Sequence, residues 1–585
     1  MVRAGFIYHE RNVLGVSAAN PHRGLYTGRV TVPLASTTLT PPPEPTRRGA
    51  GLAVIIAVGA FWVVLAGRQS VAFDLDRHLV PKELALHVTA LLSLLFLIPN
   101  WRHLRLRIVD LLLVLAGLWA VVSSVLSTNP WIATRSVGVS LSGLVLFAAV
   151  RSLAESRWKP AVLAALAGAS VVGGAIGMAQ AYGLDLDVLA TTRLPGGTFG
   201  NRNFMAHLVT LGMPILLLGS TTSRSRGGRL AARLGIVISI TAIVLTRSRA
   251  AWLGVTAVMG VMLLGALAKS WRHALTRRTV RATVIAFLLG VAIAVLVPNR
   301  LAWNSDSPYR DSITGLVDAS SGSGRGRLIQ WRNSLDLVPD APILGVGPGN
   351  WFIHYPRVTT PGDPSFSGWD TIPTNPWPSS DWVAFISEIG IPGTLLLLLA
   401  GLAMVITALR RLWSSETDGG TPPMDGRGMG PERERGEPGE SVALVATLAA
   451  AAVMGTFDAV LHLAAPTLFV FTISGLLVPV SGVVIDRALG KRTRRMLVVG
   501  SVLAMLVLVS MSLGQDRTIR VTQADRSLTA FRAALRFDPT NFRLHLRLAM
   551  NGPCTARLRH ARIARTLLPY HKAPRDALRA CGQSS

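Results

Sequence analysis

Residues 51–67 read GLAVIIAVGAFWVVLAG, an uncharged apolar run long enough to cross a bilayer as a helix. Runs of similar character recur along most of the 585 residues. The predicted spans cover residues 51–67, 83–99, 108–126, 136–150, 160–181, 205–220, 230–246, 251–268, 280–298, 382–409, 441–461, 463–486 and 496–513. The sequence therefore predicts an all-α polytopic membrane helical bundle of about 13 spans.

The composition supports this class of protein and excludes others. Half of the residues are hydrophobic and only 15% are charged, whereas soluble domains carry about 25% charged residues. A soluble globule, a disordered protein and a disulfide-rich secreted domain are excluded as the main class. The net charge of +28 would suggest nucleic acid on a soluble chain. Here the positive charge is explained by membrane topology, and no nucleic-acid partner is expected.

The distribution of positive charge predicts the orientation. With the N-terminus inside, the inner segments hold 31 of the 59 Lys and Arg residues, the outer loops 14 and the C-terminal tail 14. This bias favours N-in, C-out topology. The predicted divisions are a basic cytoplasmic tail (1–50), spans 1–9 (51–298), a large extracytoplasmic loop (299–381), spans 10–13 (382–513) and a small α-helical extracytoplasmic tail (514–585).

The C-terminal tail has a helical pattern of its own. Residues 530–549 resemble a tetratricopeptide repeat running into the next one, although a generic helical hairpin fits the same pattern. Such a tail could bind a protein partner. It also holds both cysteines, Cys554 and Cys581. An outer location would permit a disulfide, which we favour over two unpaired thiols.

Arginines on the predicted outer side are not explained by membrane insertion. Arg247 and Arg249 lie in a tight turn between two spans, and the loop 299–381 carries six arginines, among them Arg327. Arg202 lies in a glycine-rich segment at the mouth of a span. Because guanidinium matches phosphate bidentately, these residues indicate an anionic ligand at the outer leaflet. The alternatives are arginines that snorkel to headgroups and a simple membrane-entry turn.

Two carboxylates mark the end of the large outer loop. Asp381 and Glu388 are seven residues apart and share one helix face. A carboxylate in a span is costly unless it is paired, so an outer arginine is the expected partner. The alternative role is a structural ion pair that holds the loop. Pro392 and Gly393 are expected to break or kink this span near its outer end.

Other motifs exclude several chemistries. Gly345, Gly347 and Gly349 superficially suggest a nucleotide loop, but no strand–turn–helix unit surrounds them and Pro348 interrupts them. We interpret this segment as a rigid turn. The sequence has no Walker lysine, no kinase signature and no Cys or His cluster with zinc spacing. No metal and no cofactor are expected.

Five sequence blocks together resemble the O-antigen ligase and O-antigen polymerase superfamily of bacterial lipid-linked-glycan transferases. The blocks are Gly-Thr-Phe-Gly-Asn-Arg-Asn-Phe at 197–204, Ser-Arg-Ala-Ala-Trp at 248–252, Arg327 with Trp331, Pro-Ile-Leu-Gly-Val-Gly-Pro-Gly-Asn at 342–350, and the segment from Glu388 to Gly393. The resemblance covers roughly residues 50–490, and the large outer loop is correctly placed. Members often end in tetratricopeptide-like repeats.

The resemblance implies a multi-pass glycosyltransferase of the bacterial cytoplasmic (inner) membrane, acting in cell-envelope polysaccharide biosynthesis. Its donor would be a glycan on undecaprenyl pyrophosphate, and its acceptor a sugar, a lipid-linked glycan or a protein hydroxyl. By this resemblance Arg249 and Arg327 are the best pyrophosphate contacts and Arg202 the next. The choice between ligation and polymerisation stays open.

The sequence departs from the family at the expected general base. The family usually places a histidine just before the Glu-containing block, and here that position is Ser379. Either His354 or His462 substitutes in space, or Asp381 or Glu388 acts as base, or the chain has lost transfer activity. The alternative functions are therefore a non-catalytic binder of lipid-linked glycan and, with less support, a solute transporter. Transport would favour charged residues deep within spans and inverted repeats, which the sequence does not show.

Overall fold

The chain folds into helices along almost all of its described length. The computed structural model describes residues 47–69, 75–98, 103–189, 193–267, 275–303, 305–315, 322–360, 363–366, 376–417, 438–478, 483–523 and 525–582. Most of the predicted basic tail at 1–50 lies outside these residues. The first group of helices is α1 (Arg47–Leu65), α2 (Asp76–Leu97), α3 (Ile108–Val125), α4 (Pro130–Val150), α5 (Lys159–Ala181), α6 (Arg202–Thr222), α7 (Arg226–Thr246), α8 (Arg249–Leu267) and α9 (Arg277–Leu296).

The large loop and the remaining bundle follow. The loop carries α10 (Pro308–Thr314), α11 (Gly322–Leu335) and α12 (Trp351–His354). After it come α13 (Asp381–Glu388), α14 (Gly390–Thr417), α15 (Pro438–Phe457), α16 (Ala464–Leu477) and α17 (Lys491–Val521). The tail forms α18 (Leu528–Ala534), α19 (Phe542–Asn551), α20 (Cys554–Leu567) and α21 (Lys572–Gly582).

Within the described residues, 12 helices are long and apolar enough to cross a membrane: α1 to α9, α14, α15 and α17. The shorter apolar helix α16 has 14 residues. The predicted fold class, a polytopic helical membrane protein, is confirmed.

Two predicted spans differ from the structure in their limits. The predicted span 382–409 is divided into α13 and α14. Among the described residues of the predicted span 463–486, only α16 is helical, and the last of them belong to strand β2 (Val483–Ala488). Hydropathy alone does not distinguish a strand from a helix in a short apolar run. Three consecutive β-branched residues, Val483 to Ile485, favour the strand.

Strand β2 pairs with strand β1 (His103–Arg107) in an antiparallel ribbon. Arg105 lies opposite Asp486, and the Arg105 Nε is 3.2 Å from the Asp486 carboxylate. Strand β1 lies in a segment predicted to be inside, and β2 runs from the end of the predicted span 463–486 into the inner segment that follows it. Their pairing is consistent with that topology, because paired strands must lie on the same side of the membrane.

Helix α6 lies at the centre of the bundle. It packs against α5, α7, α8 and α15, and most of its side chains are buried, including Met205 and Leu208. Asn201 caps its first turn, since the Asn201 side chain accepts a hydrogen bond of 2.9 Å from the Asn203 N–H. The outer end of α6 is therefore a rigid base for the glycine-rich segment that precedes it.

Buried polar side chains fix that glycine-rich segment. Lys82 of α2 is buried, and its ammonium group donates to the Val64 carbonyl (3.0 Å) and to Thr198 Oγ1 (3.2 Å). The same group lies 4.2 Å from the centre of the Phe199 ring. Gln180 Oε1 accepts the Gly197 N–H at 2.9 Å. Each buried polar group thus has a partner, so this lysine has a structural role.

The break between α13 and α14 is held by the segment 342–350. Gly390 has a φ of +70°, and the Ile391 N–H donates to the Pro342 carbonyl at 2.9 Å. The Gly347 N–H donates to the Glu388 carbonyl at 2.9 Å. Backbone groups freed by the break are therefore bonded again, which the membrane requires. The glycine repeat is a rigid turn that fits against this break.

Replacement of Gly345 by alanine should destabilise this turn. Gly345 has a φ of +66°, and an added Cβ would lie 2.3 Å from the Glu388 carbonyl carbon. Strain of about 1–3 kcal/mol should lower the thermal unfolding midpoint in detergent. Gly401→Ala, in α14 where an added Cβ meets nothing within 4 Å, is the control and should leave the midpoint unchanged or raise it. Equal midpoints for the two variants would contradict this packing.

The tail is a set of short helices closed by a disulfide. Cys554 and Cys581 are bonded, with their Cα atoms 5.5 Å apart, so the end of α21 is joined to the start of α20. The predicted bridge is confirmed. The tetratricopeptide assignment of the tail stays a prediction.

Candidate functional site

Asp381, the first residue of α13, anchors the loop that joins α15 to α16. Its carboxylate accepts hydrogen bonds from the Val460 N–H (3.0 Å), the Leu461 N–H (3.0 Å) and His462 Nδ1 (2.8 Å). An added Cβ on Gly455 would lie 2.7 Å from this carboxylate, so the close approach requires glycine. Asp381 is only 1% exposed. Its lone pairs are therefore engaged within the protein, and it can position the loop but has little capacity for substrate.

Glu388, the last residue of α13, faces the same histidine. One carboxylate oxygen accepts the Trp351 N–H at 3.3 Å, and the other lies 3.6 Å from His462 Nε2. The Glu388 carbonyl accepts hydrogen bonds from the Gly347 N–H and the Ser123 hydroxyl. The backbone of Glu388 is thus fixed, while its carboxylate has fewer partners than that of Asp381.

His462 lies between the two carboxylates and stacks on Phe385, with ring centres 5.0 Å apart. Burial by itself would lower the pKa of His462, but the hydrogen bonds to Asp381 and Glu388 outweigh it and raise the pKa to about 10. His462 is therefore an imidazolium at neutral pH. We call these three residues the acid–histidine cluster.

The raised pKa of His462 predicts a pH-dependent stability. Its ordinary value is 6.5, so the stabilisation is fully present below about pH 6.5 and is lost as the pH rises towards 10. The wild-type unfolding midpoint in detergent should fall across this range by the equivalent of several kcal/mol, since one pKa unit corresponds to about 1.4 kcal/mol. His462→Gln should be less stable at pH 7 and should show a flatter profile.

The matched control is His560→Gln, because burial lowers the pKa of His560 and it is already neutral above pH 7. In this variant the unfolding midpoint should fall with rising pH as steeply as it does in wild type. Equal slopes for wild type and His462→Gln would disprove the charged state of the acid–histidine cluster.

A second group of charged side chains consists of arginines that act electrostatically on one another. We call it the arginine cluster, and its members are Arg193, Arg202, Arg249 and Arg327. Burial lowers the pKa of Arg327 in α11, nearby Asp458 opposes this effect, and the charges of Arg249 and Arg193 lower the pKa further. Two like charges and one opposite charge thus act on Arg327 in a buried position, and the opposite charge of Asp458 has the largest single electrostatic effect. Such an arrangement is costly unless an anion completes it.

Arg202 belongs to this arginine cluster as well. The charges of Arg193, Arg247 and Arg249 act on it. Among the described residues, no carboxylate lies within 4 Å of the guanidinium groups of Arg202, Arg249 or Arg327. The three arginines predicted from the sequence are therefore brought together, with net positive charge directed at one region.

The turn between α7 and α8 fixes two of these arginines differently. Arg247 has a φ of +54°, donates from Nε to Ser312 Oγ at 2.7 Å and lies over the Trp303 ring at 4.7 Å. Arg249 begins α8 and donates one bond to the Gly315 carbonyl. Among the described residues Arg249 makes no other side-chain hydrogen bond, so most of the five N–H donors of its guanidinium have no partner there.

Asp458 connects the two clusters. It lies in the α15–α16 loop, and its carboxylate accepts a hydrogen bond of 2.9 Å from Asn203 Nδ2 and is 3.9 Å from His207 Nε2. It also acts electrostatically on Arg327. The same short loop carries His462. One loop therefore faces the arginine cluster at its start and the acid–histidine cluster at its end.

His354 lies on a different side of the outer loop. Its Nε2 hydrogen bonds with Thr128 Oγ1 at 2.8 Å, its Nδ1 is 3.4 Å from Arg357 Nη1, and its ring is 5.1 Å from that of Tyr570 in the tail. Burial and then Arg357 lower the pKa of His354 to about 4, against a smaller effect of Asp340. The structure does not place it in contact with the carboxylates of α13.

Ser379, at the family's usual histidine position, lies against α11. Its N–H donates to Gln330 Oε1 at 2.7 Å, and its carbonyl accepts from Trp331 Nε1 at 3.2 Å. Ser379 is thus held against the helix α11, which also carries Arg327. His462, in contrast, enters the site from a separate loop.

Two cavities meet at Glu388 and His462. The outer cavity is lined by polar and aromatic side chains, among them Glu83, Trp131, Arg135, Trp377 and Arg543. The membrane cavity, of about 530 Å³, is lined almost entirely by apolar residues of α3, α4, α14, α15 and α16. The acid–histidine cluster therefore lies where a polar ligand and an apolar chain could both reach it.

Sequence reasoning found the arginines and both α13 carboxylates, but it missed Asp458 and Arg193 and did not pair His462 with Asp381. The only signal for His462 was its position at an outer helix end. Asp458 had no signal, because an acidic residue after an apolar helix is common at a membrane boundary.

The fold and the two clusters define a polytopic membrane protein with a group of arginines at one end of its bundle. Residues 234–398 match the family model described as O-Antigen ligase. This region of the chain is thus similar to the O-antigen ligase family, as the sequence blocks predicted. The matched region includes Arg249, Arg327 and Glu388, while Arg202 and His462 lie outside it. A search of curated proteins found no match to the chain. The family match supports a general function in glycan transfer at a membrane.

Proposed function

We propose that this protein transfers a glycan from undecaprenyl pyrophosphate to an acceptor hydroxyl at the outer leaflet of a bacterial cytoplasmic membrane. The observation that carries the proposal is that one loop joins the arginine cluster to the buried acid–histidine cluster. Among the described residues, the arginines of the first cluster have no carboxylate within 4 Å. A pyrophosphate leaving group needs positive charge such as that of the arginine cluster. Deprotonation of a hydroxyl needs a carboxylate or a neutral imidazole.

The donor would use the arginine cluster and the membrane cavity together. Arg202, Arg249 and Arg327 would bind the pyrophosphate, and the apolar walls of the membrane cavity would take part of the polyprenyl chain. Both would leave the sugar close to Glu388. The charged and the apolar ends of such a lipid match the two kinds of surface present.

Glu388 is the proposed general base. Its carboxylate would take the proton of the acceptor hydroxyl as that oxygen forms a bond to the anomeric carbon of the donor. The bond from that carbon to the pyrophosphate oxygen would break, and the electron pair would leave with the pyrophosphate. The arginines would stabilise the charge that builds there. Asp381 and His462 would act as positioning residues for Glu388, because Asp381 accepts a hydrogen bond from His462 and the other side of that imidazole lies 3.6 Å from the Glu388 carboxylate.

The disulfide supports the predicted orientation. Disulfides persist in oxidising compartments and are rare in the cytoplasm. A tail bridged between Cys554 and Cys581 is therefore expected outside, on the side of the arginine cluster.

Glycan transfer by purified wild-type protein tests the proposal. The protein would receive undecaprenyl-pyrophosphate glycan and a panel of sugar, lipid-linked and protein acceptors, and products would be separated on a gel. The proposal expects acceptor-dependent transfer. Absence of transfer to every acceptor, with intact donor binding, would favour a binder.

The second candidate function is a non-catalytic protein that binds lipid-linked glycan during envelope assembly. Ser379 favours it, since serine cannot replace the usual histidine as a base, and His354 lies on another side of the loop. In that case Ser379→His should create transfer activity that the wild type lacks.

A further inference from the structure

The tail packs directly on the outer cavity. Phe542, the first residue of α19, lies against Phe352 and Trp131, with ring centres 5.5 Å and 6.2 Å away. Trp131 Nε1 donates to Asp538 Oδ1 at 2.8 Å. The start of α19 is therefore fixed against the outer loop and α4, and it forms one wall of the cavity.

The polar wall of the outer cavity combines two arginines and two carboxylates. Arg135 forms a bidentate pair with Glu83 (2.8 and 3.0 Å) and reaches Asp76 at 3.0 Å. The other Asp76 oxygen is ion-paired with Arg543 of the tail. This group is electrically balanced, unlike the arginine cluster.

The two arginines still have capacity for a ligand. In the hydrogen bonds among described residues, Arg543 uses one of its five N–H donors. The Arg543 side chain is about one third exposed to solvent, and the Arg135 side chain is about one sixth exposed. Donors and acceptors thus alternate along a partly open wall, which suits hydroxyl groups that both donate and accept.

The remaining walls are aromatic. The aromatic side chains that line the cavity are Trp131, Trp377, Phe352 and Phe542. Glu388 and His462 line it as well. Indole and phenyl faces pack well against the apolar CH faces of sugar rings, while a balanced set of polar groups orients the hydroxyls. A multiply charged anion would gain nothing from this charge-balanced wall.

We infer that the outer cavity is the binding site for a neutral oligosaccharide acceptor and that the tail, through Phe542 and Arg543, completes it. The inference rests on the proposed function, since it assigns the acceptor of that reaction. It gives the tail a role in acceptor choice. The bound sugar would present one hydroxyl to Glu388 at the inner end of the cavity.

The test uses full-length protein in nanodiscs and two readouts. Binding of tritium-labelled neutral tetrasaccharides and of their phosphorylated counterparts is measured by equilibrium dialysis, and acceptor KM is measured in the transfer assay. Wild type should bind neutral compounds more tightly than phosphorylated ones. Arg543→Gln should weaken neutral binding and raise acceptor KM by about tenfold or more, as expected for loss of about 1.4 kcal/mol, with donor KM unchanged.

Two further variants make the result specific. Trp377→Leu changes a cavity residue outside the tail and should weaken acceptor binding as well. Arg536→Gln changes an exposed tail arginine and should leave both readouts at wild-type values. Unchanged affinity in Arg543→Gln, or an effect of Arg543→Gln without one of Trp377→Leu, would overturn the inference.

The two proposals fail in different ways. Transfer that persists with an unchanged acceptor KM in Arg543→Gln would refute the acceptor site and leave the transferase proposal intact. Arg543-dependent binding of neutral sugar without any transfer would refute the transferase proposal and leave the sugar site.

Discussion

Replacing Arg327 with alanine should lower the rate of glycan transfer by about 10²–10³-fold, the usual effect of removing one group that stabilises a developing negative charge. Arg327 is placed among Arg249 and Arg193, with Asp458 as the acidic neighbour acting on it. A departing pyrophosphate would lose one of its closest positive charges. The measurement is the initial rate of transfer at saturating donor and acceptor.

The control for Arg327→Ala comes from the same helix. Arg332 is exposed on α11 and has the same side chain, so Arg332→Ala tests whether general loss of positive charge matters. It should keep a rate close to that of wild type. Equal rates for the two variants, or a normal rate for Arg327→Ala, would remove Arg327 from the donor site.

Replacing Glu388 with glutamine should lower kcat by about 10²–10⁴-fold, the range expected for a general base. Glutamine has nearly the same shape and its oxygen can still accept the Trp351 N–H, so the break between α13 and α14 should persist. Binding of the donor should change little, because the arginine cluster is untouched. The measurement is kcat together with the donor Kd.

A role of Glu388 in stability alone would give a different result. In that case Glu388→Gln would lower the unfolding midpoint while folded protein kept its kcat. The control is Asp340→Asn, an exposed carboxylate 2.7 Å from Arg357 in the same outer loop, which should keep both. A wild-type kcat in Glu388→Gln would move the search for the base to His354.

The membrane-spanning helices were predictable because hydropathy and length decide them. Arg249, Arg327 and Glu388 were candidates from the sequence alone, since membrane insertion does not explain arginines on the predicted outer side and a carboxylate in a span needs a partner. The break after Glu388 was expected from Pro392 and Gly393, but it occurs at Gly390, where a positive φ is required. The local sequence thus predicted that the helix breaks in this region but did not predict the residue at which it breaks.

Contacts between distant parts of the chain were not predictable. His462 joins Asp381 because α15 and α16 bring their connecting loop beneath α13, and this depends on how the helices pack. The pairing of β1 with β2 and the ion pair of Arg543 with Asp76 have the same origin. No periodicity in a single segment carries this information.

The ion pair between Asp76 and Arg543 also has a consequence for biosynthesis. Asp76 starts the second helix of the bundle, whereas Arg543 follows the last long one, so nearly the entire polypeptide must leave the ribosome before the two can meet. A chain truncated before α19 would carry the arginine cluster and Glu388 but would lack one wall beside them. Completion of this wall is therefore among the last steps of maturation, after the remainder of the reactive centre has been inserted.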